Sequence, residues 1–180
     1  MTDLQVAIDG PAGSGKSTAA RQVARELGYV YVDTGALYRA VALAALKQQI
    51  DCSDENALAT LVQSLPFDVR LQSDGSPAYF MKGEEVTDKL RSPEINSLVS
   101  HVAKIPVVRS TVTQKLRVIG NRGGVVMDGR DIGTVVLPTA KVKVFLTADL
   151  ATRVARRKQE LLGRGFNLPS TTVREEVLKR

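Results

Sequence analysis

The sequence predicts an α/β protein in which helices cover both faces of a parallel β-sheet. Four short apolar runs without strict alternation are typical of buried parallel strands, and they lie at residues 4–8, 29–32, 125–127 and 142–146. Helix-forming sequence separates these runs along the chain. A glycine-rich loop follows the first run directly, and sheets of this kind bind their ligands where the strands end. We therefore expect one sheet with its binding loops along one edge.

The loop after the first strand has the complete G-x-x-x-x-G-K-[ST] pattern of a phosphate-binding loop. An apolar strand precedes it and a helix is predicted over residues 18–27, which is the context that gives the pattern its meaning. The glycines let backbone N–H groups converge on an anion, and the positive end of the helix adds to the attraction. A turn without a ligand is the alternative, and this context disfavours it. The predicted triphosphate site consists of Gly10, Pro11, Ala12, Gly13, Ser14, Gly15, Lys16, Ser17 and Thr18.

The composition is that of a globular protein. A chain of 180 residues with 43% hydrophobic and 24% charged residues suits one domain with an inserted lobe. No apolar stretch approaches the roughly 18 residues of a membrane span, and the N-terminus lacks the basic segment of a signal peptide. Cys52 is the single cysteine and has no neighbours spaced for a metal, so we expect a reduced thiol in the cytoplasm.

Most of the net charge of +6 lies near the end of the chain, where residues 150–180 hold 8 basic and 3 acidic side chains. Such a segment suits a nucleic-acid patch, a membrane surface or a clamp over phosphates. Phe166 is the one aromatic residue among these arginines, so the base-stacking platform of a single-strand binder is missing. A solvated helix face accounts for some of the charge. The rest suits a helix–loop–helix flap that closes on a triphosphate through Arg153, Arg156, Arg157, Arg164 and Arg174.

Further helices are predicted at residues 36–49, 54–64, 92–104 and 106–119. Asp33 or Thr34 is placed to cap the first of them. Between residues 67 and 86 the pattern changes to two alternating runs around a turn at 73–77, which predicts a small antiparallel meander inserted into the parallel fold. His101, the single histidine, is expected to be an exposed helical residue.

Two further motifs follow predicted strands. Residues 33–39 place a hydroxyl, a glycine and the pair Tyr38 and Arg39 at the start of a helix, where they could hold a second phosphate-bearing molecule. A plain capped helix is the alternative. Residues 128–134 follow the strand at 125–127, and Asp128 is placed there like a ligand of Mg²⁺-bound water. Arg130 and Asp131 point opposite charges into the same cleft, the alternative being a surface ion pair.

At these motifs the chain resembles the bacterial cytidylate kinases, which are nucleoside monophosphate kinases with a P-loop fold. The resemblance covers essentially the whole chain and rests on residues 8–17, 33–39 and 128–134 in that order. The meander at 67–86 resembles the enlarged monophosphate-binding insert of this family. The resemblance implies a P-loop core at 1–33 and 104–153, a monophosphate-binding lobe with its insert at 34–103, and a helical lid at 154–180.

The resemblance also implies roles for single residues. ATP, with Mg²⁺ at Ser17 and Asp128, would give its γ-phosphoryl group to CMP or dCMP. Lining the acceptor site would be Thr34, Tyr38 and Arg39, with Ser100 and Arg109 against the cytosine ring. Asp131 would read the base, because a carboxylate accepts from the amino group of cytosine and repels the carbonyl of uracil. The groups around the transferring phosphoryl would be Lys16, Asp128, Arg130, Arg153, Arg157 and Arg180. Of these, Arg130 and Arg180 would also bind the acceptor.

The mechanism that this implies needs positioning and charge neutralisation, with no strong general base. Closure of the flap, roughly residues 154–172, is expected to gate turnover. Small-molecule nucleotides are the expected partners of a monomer that binds neither nucleic acid nor membrane.

The end of the chain departs from the family pattern. The family continues past the lid with an Arg-Asp-x-x-Asp-x-x-Arg segment, a strand and a helix, and Arg180 matches the first arginine of that segment. On this comparison the C-terminal strand and helix are missing, which leaves a non-catalytic ATP-binding fragment as one rival. A kinase of another monophosphate such as UMP and a nucleic-acid-binding P-loop protein are the others. Residues 121–124 do not supply the Asn-Lys-x-Asp pattern of switch GTPases.

Overall fold

The protein is described by a computed structural model that covers residues 4–72, 76–163 and 165–179. The strands are β1 (Gln5–Asp9), β2 (Val30–Asp33), β3 (Phe67–Leu71), β4 (Pro77–Met81), β5 (Glu84–Glu85), β6 (Val125–Gly129) and β7 (Val142–Phe145). The helices are α1 (Lys16–Leu27), α2 (Thr34–Lys47), α3 (Glu55–Ser64), α4 (Pro93–Val102), α5 (Pro106–Gly120), α6 (Leu150–Leu162) and α7 (Ser170–Lys179). A 3₁₀ turn at Lys89–Arg91 and a π-helix at Ile132–Val136 complete the elements.

The main sheet is parallel and has the order β2-β6-β1-β7. All four strands confirm the apolar runs of the sequence, and three of them continue to a polar end. In register, Asp9 of β1 lies beside Gly129 of β6, and Asp33 of β2 lies beside Asp128 of β6. Helices cover the sheet, so the strand residues beneath them must be apolar. Ala7 and Met127, for example, are fully buried. The sheet therefore brings three carboxylates to one edge.

Helix α1 begins at Lys16, two residues before the predicted start, because the phosphate-binding loop passes directly into the helix. Helix α2 also begins early, at Thr34, and lies between the sheet and the inserted lobe, with most of its residues buried. Asp33 occupies the N-cap position of α2 and is one of the two residues that the sequence predicted for this position. Its carboxylate accepts from Arg39 one and a half turns on, 3.2 Å away, so its role there is an ion pair.

The inserted segment forms the predicted antiparallel meander, with the order β3-β4-β5. The predicted turn at 73–77 falls mostly outside the described residues. One continuous apolar core joins this meander to the main sheet, since Tyr79 of β4 and Met127 of β6 belong to the same buried cluster. Glu84 of β5 also reaches Lys47 of α2 and Lys89. The meander is thus an extension of the core.

The predicted flap is a helical hairpin of α6 and α7. Its own small cluster of Leu161, Val173 and Val177 is separate from the main core. Strand β7, which precedes α6 in the chain, forms one edge of the main sheet, with Phe145 71% exposed. In the part of the chain that the structure describes, no helix combines the length and the apolar character that crossing a bilayer requires. The fold is the α/β arrangement that the sequence predicted, with an inserted meander and a helical hairpin.

Candidate active site

A cavity of about 360 Å³ opens where the strands of the main sheet end. Its wall is formed by the loop after β1, the start of α2, the end of α4, the first turn of α5, the segment after β6 and one side of α6. The structure brings together in this wall every described residue that the resemblance assigned to the acceptor: Thr34, Tyr38, Arg39, Ser100, Arg109, Arg130 and Asp131. Lys16, Ser17, Asp128 and Arg157 lie in the same wall.

Some predicted residues lie elsewhere. Arg153 belongs to α6 outside the cavity wall, and its backbone packs against Gly13. Among the described residues, the buried Nε of Arg153 has no hydrogen-bond partner. Arg164 and Arg180 fall outside the described residues. His101 is exposed on α4, as expected.

Two glycines of the phosphate-binding loop are required by close backbone contacts. A Cβ on Gly10, whose φ is 147°, would lie 1.9 Å from the carbonyl oxygen of Leu146. A Cβ on Gly13, whose φ is 74°, would lie 2.6 Å from the carbonyl oxygen of Arg153. Side chains at these positions would push away the residue that follows β7 and the start of α6, so the glycines fix where the loop lies as well as how it bends.

Cationic side chains converge on the carbonyl groups of this loop. Lys16 Nζ donates to the Pro11 carbonyl at 2.8 Å, and Arg130 Nη1 donates to the Gly10 carbonyl at 2.7 Å. Arg156 Nη1 of α6 reaches the Ser14 carbonyl at 3.0 Å. Among the described residues, the buried Ser14 hydroxyl has no partner. The loop therefore has positive charge and a polar group ready for an anion.

Burial lowers the pKa of Lys16 to about 8, with Arg130 adding a smaller effect in the same direction. The ammonium group is desolvated and lies near another cation, and the carboxylates of Asp128, Asp33 and Asp9 compensate only partly. A bound polyphosphate would supply the missing negative charge. A lysine in a site built for an anionic ligand is expected to have a lowered pKa when only protein groups surround it.

Asp128 is held at three points. Its Oδ2 accepts from the Ser17 hydroxyl at 2.8 Å, its Oδ1 accepts from the Tyr31 hydroxyl at 2.8 Å, and its backbone carbonyl accepts from Thr34 Oγ1 at 2.7 Å. Burial raises the pKa of Asp128 to about 6, and the negative charge of Asp33 raises it further. The hydrogen bonds from Ser17 and Tyr31 act in the opposite direction and offset only part of this rise. Sequence reasoning missed Tyr31, because nothing in a short apolar strand marks which tyrosine faces a carboxylate.

Two arginine–carboxylate pairs face the cavity. Arg109 of α5 pairs with Asp131, and both are partly exposed. Arg39 of α2 pairs with Asp33 at 3.2 Å and is mostly buried. The first pair joins two residues that the resemblance assigned to the cytosine ring. Each pair places one positive and one negative group at a fixed position, and such groups can recognise a polar base or a phosphate.

A smaller cavity of about 90 Å³ adjoins the first and is richer in positive charge. Arg21, Arg39, Arg91 and Arg157 line it, against the carboxylates of Asp33 and Glu160, together with Ser17, Tyr31 and Asn96. No sequence signal pointed to Arg91 or Asn96, which lie in the inserted lobe far from any motif. The size and charge of this cavity suit a single tetrahedral oxyanion.

The two cavities together can hold one polyphosphate on the loop and a second phosphate-bearing molecule opposite it. The wall of the larger cavity contains Lys16, Arg130 and Arg157, where the polyphosphate and the second molecule would meet. Asp128 and the Ser17 hydroxyl offer oxygen atoms to a hard cation at the same place. Such an arrangement favours transfer of a phosphoryl group between two anions, with the charge neutralised by the protein.

Comparisons with known proteins point to one family for this chain. The family model described as cytidylate kinase matches residues 6–180. The cytidylate kinase of Pelotomaculum thermopropionicum is 45% identical over 175 residues, which are 97% of this chain and 77% of that protein. The cytidylate kinase of Exiguobacterium sibiricum is 48% identical over 181 residues, covering 80% of its length, and that of Bacillus subtilis is 45% identical over 177 residues, covering 79%. The crystal structure of TT1252 from Thermus thermophilus matches with a TM-score of 0.40 and 21% identity over 98% of this chain and 86% of that one, which is too weak a likeness to bear on function.

Proposed function

The chain belongs to the cytidylate kinase family, and we propose that it transfers the γ-phosphoryl group of ATP to CMP or dCMP. One observation carries the proposal: Arg39, Arg109 and Asp131 converge across one cavity from Lys16. These four residues come from four different elements, so only the fold brings a donor loop and a base-reading carboxylate together. An ATP-binding protein without an acceptor would have no use for the second half of this cavity.

On the donor side, the loop at residues 10–18 holds the phosphates of ATP through its backbone N–H groups and Lys16. The residues present fit Mg²⁺, because Ser17 and Asp128 place two oxygen ligands 2.8 Å apart beside the loop. Mg²⁺ binds through one or two protein groups plus phosphate oxygens, and when bound it neutralises charge on the phosphates. Tyr31 holds the other oxygen of Asp128 and so fixes its orientation.

On the acceptor side, Asp131 accepts from the amino group of cytosine, with Arg109 holding the carboxylate in place and Ser100 beside them. The acceptor phosphate lies at Arg39 and extends towards Arg91 in the smaller cavity. Thr34 contributes to the wall, and its hydroxyl is occupied by the Asp128 carbonyl. Tyr38 packs from α2 against the core and closes the same wall.

The chemical step then needs no side chain as a strong general base, since the acceptor oxygen is already ionised. Lys16 and Arg130 stabilise charge on the transferring group, and Arg157 adds to them from the lid. Arg153 lies outside the cavity wall in this structure, so it would reach the transferring group only if the start of α6 moved together with the lid. We assign the core to residues 1–33 and 104–153, the acceptor lobe to 34–103 and the lid to 154–180. Lid closure would exclude water and gate turnover.

We further propose that the enzyme acts in the cytoplasm as a monomer. Support for the compartment comes from the free thiol of Cys52, which is stable under reducing conditions. Sedimentation of the purified chain measures the oligomeric state directly.

The test is a panel of CMP, dCMP, UMP and AMP as acceptors with ATP. We expect turnover with the two cytidine nucleotides, and Lys16→Ala abolishes turnover with every acceptor. Lys141→Ala, which removes an exposed lysine away from the cavity, serves as the matched control and keeps full activity. ATP binding without any CMP-dependent release of ADP would defeat the proposal and favour a binding protein.

A further inference from the structure

Asp9 is the last residue of β1 and stands immediately before the phosphate-binding loop. Its side chain reaches the segment that follows β6. One carboxylate oxygen accepts from the backbone N–H of Ile132 at 2.7 Å, and the other accepts from the N–H of Gly133 at 2.8 Å. The residue is 9% exposed, so these bonds form in a nearly dry environment. Charged acceptors make stronger bonds to N–H groups than neutral ones.

The two N–H groups belong to the start of the π-helix Ile132–Val136. Helix starts leave N–H groups without intrahelical partners, and Asp9 satisfies two of them from a strand 123 residues away in sequence. The space here is small, since a Cβ on Gly133 would come within 3.4 Å of Asp9 Oδ2. Asp9 therefore fixes the segment at its first turn.

A second link lies just before this turn. Arg130 donates to the carbonyl of Gly10, the residue after Asp9, at 2.7 Å. Asp131 lies between Arg130 and Ile132, so bonds to residues 9 and 10 hold both of its neighbours. The junction of β1 with the phosphate-binding loop thus holds the backbone that carries Asp131, while Arg109 holds its carboxylate.

We infer that Asp9 is a positioning residue for selection of the acceptor base. It touches neither nucleotide and acts through Asp131, by holding the segment that carries this carboxylate at a fixed place across from the donor loop. The inference rests on the proposed function, in which Asp131 reads cytosine.

The test is Asp9→Asn, which keeps the size of the side chain. Its amide has one acceptor oxygen, and its NH₂ group faces the second N–H, so one bond becomes a donor–donor contact. We expect the ratio of kcat/KM for CMP to that for UMP to fall at least about tenfold, mainly through a higher KM for CMP, because a displaced Asp131 carboxylate loses its hydrogen bond to the amino group of cytosine, and a hydrogen bond to a charged group is worth about this much. The Kd for ATP should change less than about threefold, since the loop keeps its own contacts.

Asp54→Asn is the matched control. Asp54 is also a carboxylate that accepts a backbone N–H at a helix start, that of Ala57 at 2.9 Å, but it lies at α3 away from the cavity. We expect its ratio for CMP over UMP to equal that of the unaltered chain. The ratio does not depend on how much of a variant is folded, because the same active molecules convert both acceptors, so partial unfolding of Asp9→Asn leaves the result readable.

Adding Asp131→Ala separates failure of the inference from failure of the proposed function. If this variant loses selection for CMP while Asp9→Asn keeps it, the inference about Asp9 is overturned and the proposed function stands. The inference is also overturned if Asp9→Asn lowers turnover of both acceptors equally. If Asp131→Ala keeps full selection, both the base-reading role of Asp131 and the inference that depends on it are overturned. Loss of selection in both variants, with ATP binding retained, supports the inference.

Discussion

At the scale of single residues, the site holds charged groups that the protein alone does not fully balance. Burial moves the pKa of Lys16 down to about 8 and that of Asp128 up to about 6, so each shifts towards its neutral form. Tyr31, Ser17 and Thr34 hold Asp128 in place in spite of this cost. A bound triphosphate restores the charge on the lysine, which means that ligand binding and protonation are coupled.

The coupling at Lys16 predicts how ATP affinity depends on pH. Above a pH of about 8 the ligand-free lysine loses its proton, and binding must take one up again, so Kd should rise by up to about tenfold per pH unit. Below this pH the effect disappears. Calorimetry at about pH 8.5 in two buffers of different ionisation enthalpy measures the proton uptake. Lys16→Arg should flatten the profile, because arginine does not titrate here; a flat profile in the unaltered chain would contradict the prediction.

The raised pKa of Asp128 predicts a stability effect. A carboxyl whose folded pKa lies above its ordinary value destabilises the fold as the pH rises from about 4 through about 6. At pH 7, Asp128→Asn should therefore stabilise the ligand-free protein by about 1–3 kcal/mol, although it removes activity. The gain should shrink as the pH is lowered towards about 4. Thermal unfolding at several pH values measures it, and an equal or lower Tm at pH 7 would show that the hydrogen bonds outweigh the burial.

At the scale of elements, the lid meets the donor loop through backbone contacts. The first turn of α6 packs on Gly13, and Arg156 reaches the Ser14 carbonyl at 3.0 Å. Within the lid, Arg157 is held by Glu160 at 2.9 Å and by Glu176 of α7 at 2.7 Å. These carboxylates keep the pKa of Arg157 raised although burial alone would lower it. The lid thus contacts the loop, and Arg157 is held by two glutamates of the lid itself.

The contact between α6 and the loop predicts different effects for two glycine substitutions. Gly13 and Gly28 both have positive φ, of 74° and 65°, so alanine costs about 1–2 kcal/mol of strain at either. Only at Gly13 would the new Cβ meet α6, at 2.6 Å, whereas nothing lies within 4 Å of it at Gly28. We expect Gly13→Ala to weaken ATP binding at least about tenfold and Gly28→Ala to leave it unchanged. Equal Kd values for the two variants would show that the contact with α6 does not matter.

At the scale of the whole molecule, one buried cluster joins the main sheet, α2, α3, α5 and the meander, while the lid has a separate cluster. Helix α1, which follows the donor loop, packs against the same sheet in a second cluster, so the strands link the donor loop to the acceptor lobe and we expect the two to unfold together. The lid, with three residues in its own cluster, can open without disturbing them. The arrangement gives a rigid two-substrate cavity with one movable wall.

This division predicts cooperative unfolding. Leu58 of α3 is fully buried on the lobe side, and Leu58→Ala should lower the free energy of unfolding by about 2–5 kcal/mol. Circular dichroism and the loss of ATP binding should still give one coincident transition. Leu178→Ala, at a position 56% exposed on the lid, should change little. Two separate transitions would contradict a shared core.

The sequence by itself determined the elements and the donor half of the site. Apolar runs set the parallel strands, Pro93 and Pro106 marked helix starts, and the loop at residues 10–17 specified phosphate binding, since each signal is local. The tertiary structure alone decided which distant groups meet. Tyr31 and Asp128 are 97 residues apart and Asp9 and Ile132 are 123 apart, and the register of β1, β2 and β6 brings them within hydrogen-bonding distance. Arg91 reached the cavity in the same way, because contacts between separate elements depend on how the sheet and lobe pack, which no local pattern records.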